Sequence, residues 1–243
     1  MKSLYTKSWL NHHLSHLNDW QRTSYLAFSQ LMHEKSNYPC IFSQIAFKND
    51  QLRFAFINES SMKDSVNTLA TILRKYGRIS RQTGKYASLV VFFHVLSQPS
   101  LKQYEQLFWT ILNRLHKLDQ TTWPSHIPTD PNHSKWEFCF EGETYFCLSS
   151  TPLHKKRKSR YFPSFLLSFQ PRWVFAYINN STSIGRNTKQ RIRERLADYD
   201  DIAVHPALKW YGEAENKEWK QYFLDDSNTS PPSCPFKHLY NQK

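Results

Sequence analysis

The sequence predicts an α+β domain, a mixed and mainly antiparallel sheet of five or six strands with helices packed on it. Three observations predict this class. Amphipathic stretches at helical spacing alternate with short strand-like runs as far as residue 118. A hairpin signal follows them. The second half then carries short strand-like runs without the regular strand–helix alternation of a parallel α/β fold. Strong core pattern resumes after every loop, so residues 1–243 read as one domain, with a helical segment over 1–35 and a tail over 225–243.

From Ser8 to Lys35, Leu10, Leu14, Leu17, Leu26, Phe28, Leu31 and Met32 recur at helical spacing and predict one or two helices. Tyr38-Pro39-Cys40-Ile41-Phe42 comes next, where the proline ends the helix and the apolar neighbours predict a buried thiol. The alternation Leu52, Phe54, Phe56 predicts a strand with one core face. Ser60-Ser61 then caps a helix carrying Met62, Val66, Leu69, Leu73 and Tyr76, which is expected to stop near Gly77. Tyr86 to Leu96 is apolar almost throughout, as a central strand covered on both faces would be. Ser100 and Gln103 form a capping box for a helix running to Leu118. Three prolines between Thr121 and Ser134 predict a loop. Trp136 to Phe140 and Tyr145 to Leu148 flank Glu141-Gly142-Glu143 as a hairpin. Phe165 to Phe169 and Trp173 to Ile178 are strand-like and broken at Pro171. Ser183 to Tyr199 predicts a basic helix that packs through Ile192, Leu196 and Tyr199 and turns its cations mostly outward. Trp219 to Leu224 predicts one further short element.

Composition narrows the chemistry. Gly numbers only 5 against 17 Phe, 13 Tyr and 8 Trp, so rings must build the core and can also wall a pocket for a flat ligand. The net charge of +12 favours acidic partners, whether nucleic acid, anionic lipid or a small anion. No apolar run reaches the roughly 18 residues of a membrane span, and the first twenty residues lack a signal-peptide core, so no membrane partner and a cytoplasmic location are expected. The cysteines Cys40, Cys139, Cys147 and Cys234 contain no CxxC pair, which argues against a zinc knuckle and predicts reduced thiols. His12 and His16 have the spacing of a metal pair, but lack a third ligand in sequence and predict a solvated face. Gly-rich phosphate loops, GxSxG and HExxH are absent, which excludes P-loop, serine-hydrolase and zincin chemistry.

Chemistry concentrates between Thr151 and Arg172. His154 stands at the mouth of a basic cluster, Lys155, Lys156, Arg157, Lys158 and Arg160, directly after the hairpin. Such cations favour a neutral imidazole, the form that binds a metal or haem iron. The same cations can clamp carboxylates, or can dock nucleic acid together with the helix from Arg186 to Arg195. Cys234-Pro235 is a second ligand candidate, as a cysteine followed by proline recurs in haem-thiolate sites.

Taken in order, Tyr38-Pro39-Cys40-Ile41-Phe42, Trp136 to Phe140, Thr151 to His154 with Arg157 and Ser159-Arg160, Phe169-Gln170-Pro171-Arg172, Ile192 to Arg195, His205-Pro206 and Cys234-Pro235-Phe236 resemble the YqcI/YcgG family. The resemblance runs from about Tyr38 to Phe236. It implies a haem-dependent oxygenase, related to the N-hydroxylase of guanitoxin biosynthesis, acting on a small amine or guanidino compound and fed by an electron donor. In that picture His154 is the proximal iron ligand, with Cys234 as the alternative. Arg157, Arg160 and Arg172 hold propionates or a substrate carboxylate, and Phe138, Phe140 and Trp173 line the ring. Leu153-His154 is followed here by lysine, where relatives of that enzyme carry proline.

Overall fold

The computed structural model describes residues 4–33, 35–58, 61–95, 97–176 and 181–237. Ser60, Leu96, Tyr177 and Ile178, which the sequence pattern assigns to a cap and two strands, lie outside them. The chain opens with helices α1 (Lys7–His12), α2 (Asp19–Leu31) and α3 (Ile41–Lys48), then strand β1 (Leu52–Asn58), α4 (Met62–Thr83), β2 (Ser88–His94) and α5 (Leu101–Leu118). Strands β3 (Phe138–Phe140), β4 (Glu143–Ser150) and β5 (Phe165–Pro171) follow, and α6 (Ser183–Tyr199) closes the series. The strands form one sheet in the order β1-β2-β5-β4-β3. Its first pair is parallel and the other three are antiparallel, the mixed sheet the sequence predicts.

Local chemistry fixes most of these boundaries. Ser61 accepts the Asp64 amide and caps α4, and Ser100 and Gln103 exchange both bonds of a capping box at α5. Glu141 and Gly142 both have positive φ, 52° and 76°, as a two-residue hairpin turn between β3 and β4 requires. Three expectations are corrected. Helix α4 runs through Gly77 to Thr83, where the glycine serves packing and not termination: a Cβ there would lie 3.2 Å from the Tyr145 hydroxyl. Trp173 belongs to a 3-10 turn, Arg172–Phe175, because Pro171 ends the ladder. Helix α3, short and straight after Pro39, was not foreseen.

The two sheet faces differ. On one, Leu89, Val91, Phe93, Leu167, Phe169 and Cys147 pack beneath α4 and α5 and are buried. On the other, α1 to α3 cover β1 and β2, with Phe28 set edge-on between Phe54 and Phe92. Over β5 and β4 this second face has thinner cover, and Phe146, Leu148, Ser168 and Gln170 remain half-buried. That gap in the second layer is where a ligand can enter.

Candidate functional site

The gap is a cleft of two adjoining cavities that share Phe146 and Phe175. The inner one holds about 970 Å³ of empty space including its mouth. Val90, Leu148, Leu166 and the hydrogen-bonded hydroxyls of Ser88 and Ser168, 2.8 Å apart, form its floor. Met32, Tyr38, Cys40, Phe42 and Phe162 are among its walls. The outer cavity, about 1300 Å³ on the same basis, lies under α6 and is lined by Arg172, Trp173, Lys189, Arg193, Trp210, Tyr211 and Glu218 among others. Both are apolar and aromatic with few polar groups, as small-molecule sites are.

Charge is concentrated at the outer cavity. Arg172 pairs with Glu137 and Glu218 and lies 4.0 Å from the Tyr211 ring centre. Burial pushes the Glu137 carboxyl up to about 7 although Arg172 opposes it, and its Oε2 has no partner. The Lys189 ammonium sits 4.0 Å over the Trp210 ring, and burial followed by the Arg193 charge pulls it down to about 8. Arg195 donates to the Tyr38 carbonyl at 2.6 Å and Arg193 to that of Leu208. Three cations of α6 therefore turn toward the cleft, whereas the amphipathic pattern had placed them mostly outward. Arg186 and Arg191 are exposed.

The predicted ligand region forms a buried knot beside this cleft. His154 is 3% exposed, and its Nε2 donates to the Leu224 carbonyl at 2.8 Å. Its Nδ1 lies 3.0 Å from the Thr151 hydroxyl, which in turn accepts the Leu153 amide. A carbonyl can only accept, so Nε2 carries a proton, and in the neutral ring Nδ1 receives the threonine proton. Burial is the main cause holding His154 below the ordinary imidazole value. Both ring nitrogens are thus engaged within the protein, and His154 lines neither cavity.

Arg157, fully buried, donates to the carbonyls of Asp225 and Ser227 and to Asn228 Oδ1. Ser159 gives both its amide and its hydroxyl to Asp200. Lys158 pairs with Asp201 at 2.6 Å, while Lys155 and Lys156 are exposed. The basic cluster therefore spends much of its charge on tying the end of β4 to α6 and to residues 221–228. Arg160 differs: it is 6% exposed, donates Nη2 to the Gln221 carbonyl, and keeps Nη1 without a partner. Its charge acts on Tyr38 and Cys40 in the cleft wall, and burial pulls it down to about 10.

The remaining sequence candidates separate. Trp173 and Arg172 line the outer cavity, but Phe138 and Phe140 face the sheet's closed side, packed in the α4–α5 core. Cys234 also packs against that core, its thiol pushed up to about 12 by burial, and its neighbour Phe236 inserts between Trp136 and His116. The structure thus brings Arg172 and Trp173 to the cleft, sets Arg160 behind its wall, and leaves Phe138, Phe140 and Cys234 away from it. Sequence reasoning missed Cys40, which is half-buried and lines the inner cavity. The clue was the Tyr-Pro-Cys order, where the proline sets the cysteine at the start of α3.

The YqcI/YcgG family model matches residues 28–237, which include both cavities and the knot. The chain belongs to the YqcI/YcgG family. It is 47% identical to "Uncharacterized protein YcgG" of Bacillus subtilis (strain 168), over 99% of this chain and 97% of that one. It is 46% identical to "Uncharacterized protein YqcI" of the same strain, over 100% of this chain and 99% of that one. It is also 32% identical to "Putative N(omega)-hydroxy-L-arginine synthase DcsA" of Streptomyces lavendulae, over 90% of this chain and 85% of that one. No solved structure matches. The relationship to the Streptomyces protein is consistent with N-hydroxylation at the level of the family. Among the described residues, no group of three or more His, Cys, Asp or Glu is arranged to hold a bare metal ion, and no helix is long and apolar enough to cross a membrane.

Proposed function

We propose that this chain N-hydroxylates a small amine or guanidino compound, using haem held in the cleft on the second sheet face. The observation that carries the proposal is the cleft itself: an aromatic, apolar space whose outer part is lined by the cations Arg172, Lys189 and Arg193. Cations lining an apolar cavity call for an anion, and a haem propionate supplies one. The donor set fits haem better than a bare cation, as soft sulfur and aromatic walls replace a cluster of carboxylates and imidazoles.

Bound there, haem would supply the oxygen-activating chemistry. The protein's own groups supply position and environment. Phe28, Phe42 and Phe162 exclude water from the inner cavity, and Phe146 and Phe175 separate it from the outer one. Lys189 and Arg193 in the outer cavity suit a propionate or a substrate carboxylate. The Arg172 guanidinium, held between two carboxylates, fixes the wall on which Trp173 and Tyr211 stand.

The test is product formation by the full chain loaded with haem and supplied with oxygen and an electron donor. L-arginine and simple guanidino compounds and amines are the substrates, and mass spectrometry is the readout. Products heavier by one oxygen atom, formed only by the haem-loaded chain, are expected. A haem-loaded chain that oxidises none of them would refute the reading.

A further inference from the structure

We infer that a basic groove on the outer side of α5 docks an acidic electron-carrier protein, which passes single electrons to haem in the cleft; the transfer step rests on the haem reading above. Placing one atom of molecular oxygen on nitrogen and releasing the other as water consumes two electrons and two protons per turnover, so an outside reductant is required. Lys102, Arg114, Lys117 and Lys237 line the groove, against one carboxylate, Glu105, which pairs with Lys102. Arg114, Lys117 and Lys237 are exposed and have no acidic partner among the described residues. Three unpaired cations in one groove favour a partner of negative charge, steer its approach and make a contact that salt weakens. The groove is held in shape from within. Asn113 on α5 donates to the Pro235 carbonyl at 3.1 Å and accepts the Lys237 amide at 2.7 Å, which fixes the chain at 235–237 along the helix.

A second observation selects an electron carrier among acidic partners. Trp109, 4% exposed, lies at the base of the groove. Its ring stacks on that of Tyr222 with 6.2 Å between centres, and Tyr222 meets Phe146 edge-on at 5.4 Å. Phe146 lines both cavities of the cleft. The route passes round the edge of the sheet, because β3 pairs only with residues 143–145 of β4 and the Tyr222 carbonyl takes the Ser149 amide beyond them. Tyr222 is fixed there, its hydroxyl accepting the Phe138 amide and donating to the Tyr145 carbonyl. Two ring-to-ring steps thus join a basic surface groove to the cleft, and an electron can tunnel through such packed side chains without any bond changing. In each event one electron leaves the carrier's reduced iron–sulfur centre and converts ferric haem iron to ferrous, and no proton moves. The contact is small and short-lived, as electron-transfer encounters are.

The probe is a plant-type ferredoxin, an acidic one-electron carrier, and the experiment has two readouts on the full chain. Binding is titrated at low and at high ionic strength, and the rate at which reduced ferredoxin converts the ferric haem-loaded chain to the ferrous form is followed under carbon monoxide by stopped flow. Wild type is compared with the double variant Arg114→Glu/Lys117→Glu and with Lys155→Glu/Lys156→Glu, an equal charge change at two exposed lysines elsewhere. Each is checked by circular dichroism and melting. Wild type is expected to bind at low salt and to lose affinity as salt rises. Arg114→Glu/Lys117→Glu should bind and be reduced at least about tenfold more weakly and slowly, while the other double variant stays within about twofold of wild type. Reduction by dithionite should be the same in all three. Equal losses in the two double variants, or none in Arg114→Glu/Lys117→Glu, overturn the docking site. A wild type that dithionite reduces and ferredoxin neither binds nor reduces overturns it without any variant. A chain that takes up no haem refutes the haem reading, and the electron transfer with it.

Discussion

His154 closes its ring between the Thr151 hydroxyl and the Leu224 carbonyl, and a change there should therefore be read in stability first. His154→Leu orphans both partners, each at about 1–3 kcal/mol, and should lower the unfolding free energy from urea denaturation by about their sum while leaving the haem spectrum unshifted. The pH dependence has a definite sign. Burial lowers the folded pKa of His154 below its ordinary 6.5, so the unfolded chain takes up the proton first. Stability is complete above that value and falls as the pH drops below it. His205 is lowered for the same first reason, so denaturation curves of His154→Gln should show a shallower fall, not a flat one. Lys189→Met removes a cation from the outer cavity, and haem titration should show at least about tenfold weaker uptake, the value of one charge-assisted bond. His154 and Arg160 stand out in the sequence. Their partners do not, because Leu224 lies 70 residues on and Gln221 61 residues on, and no local pattern announces such contacts. Cys40 was read as an inert buried thiol because its apolar neighbours were visible and the cavity between α3 and the sheet was not.

At the scale of elements, the turns and caps are where sequence and structure agree most closely. Gly142 has φ 76° and nothing within 4 Å of the place a Cβ would occupy, so Gly142→Ala tests backbone strain alone. It should cost about 1–2 kcal/mol, measurable as a shift of the denaturation midpoint. Ser100→Ala removes the capping box of α5 and should cost about 1 kcal/mol in the same measurement. Such features are legible because they are written in adjacent residues. The extent of α4 was not, since Gly77 looks like a stop until Tyr145, on a distant strand, takes the space beside it. The inward turn of α6's cations was likewise hidden. Long side chains of Lys189 and Arg193 reach under the helix toward Trp210 and Leu208 from positions that periodicity alone places on its flank.

The whole molecule is a sheet with one sealed face and one face left open over β5 and β4, and the family to which the chain belongs shares the region that builds both. The fold class was readable from alternation and spacing, but the strand order was not, and it is the order that puts half-buried Leu148 and Ser168 beside each other at the floor of the cleft. The central claim is that this open face is the cofactor site. Haem titration followed at the Soret band tests it most directly, comparing wild type with Leu148→Trp, which fills the floor of the inner cavity, and with Phe138→Leu on the sealed face. Wild type and Phe138→Leu should each take up one haem, and a folded Leu148→Trp should take it up at least about tenfold more weakly, the loss expected when about 1.4 kcal/mol of binding is removed. Uptake by Leu148→Trp equal to that of wild type would contradict the claim.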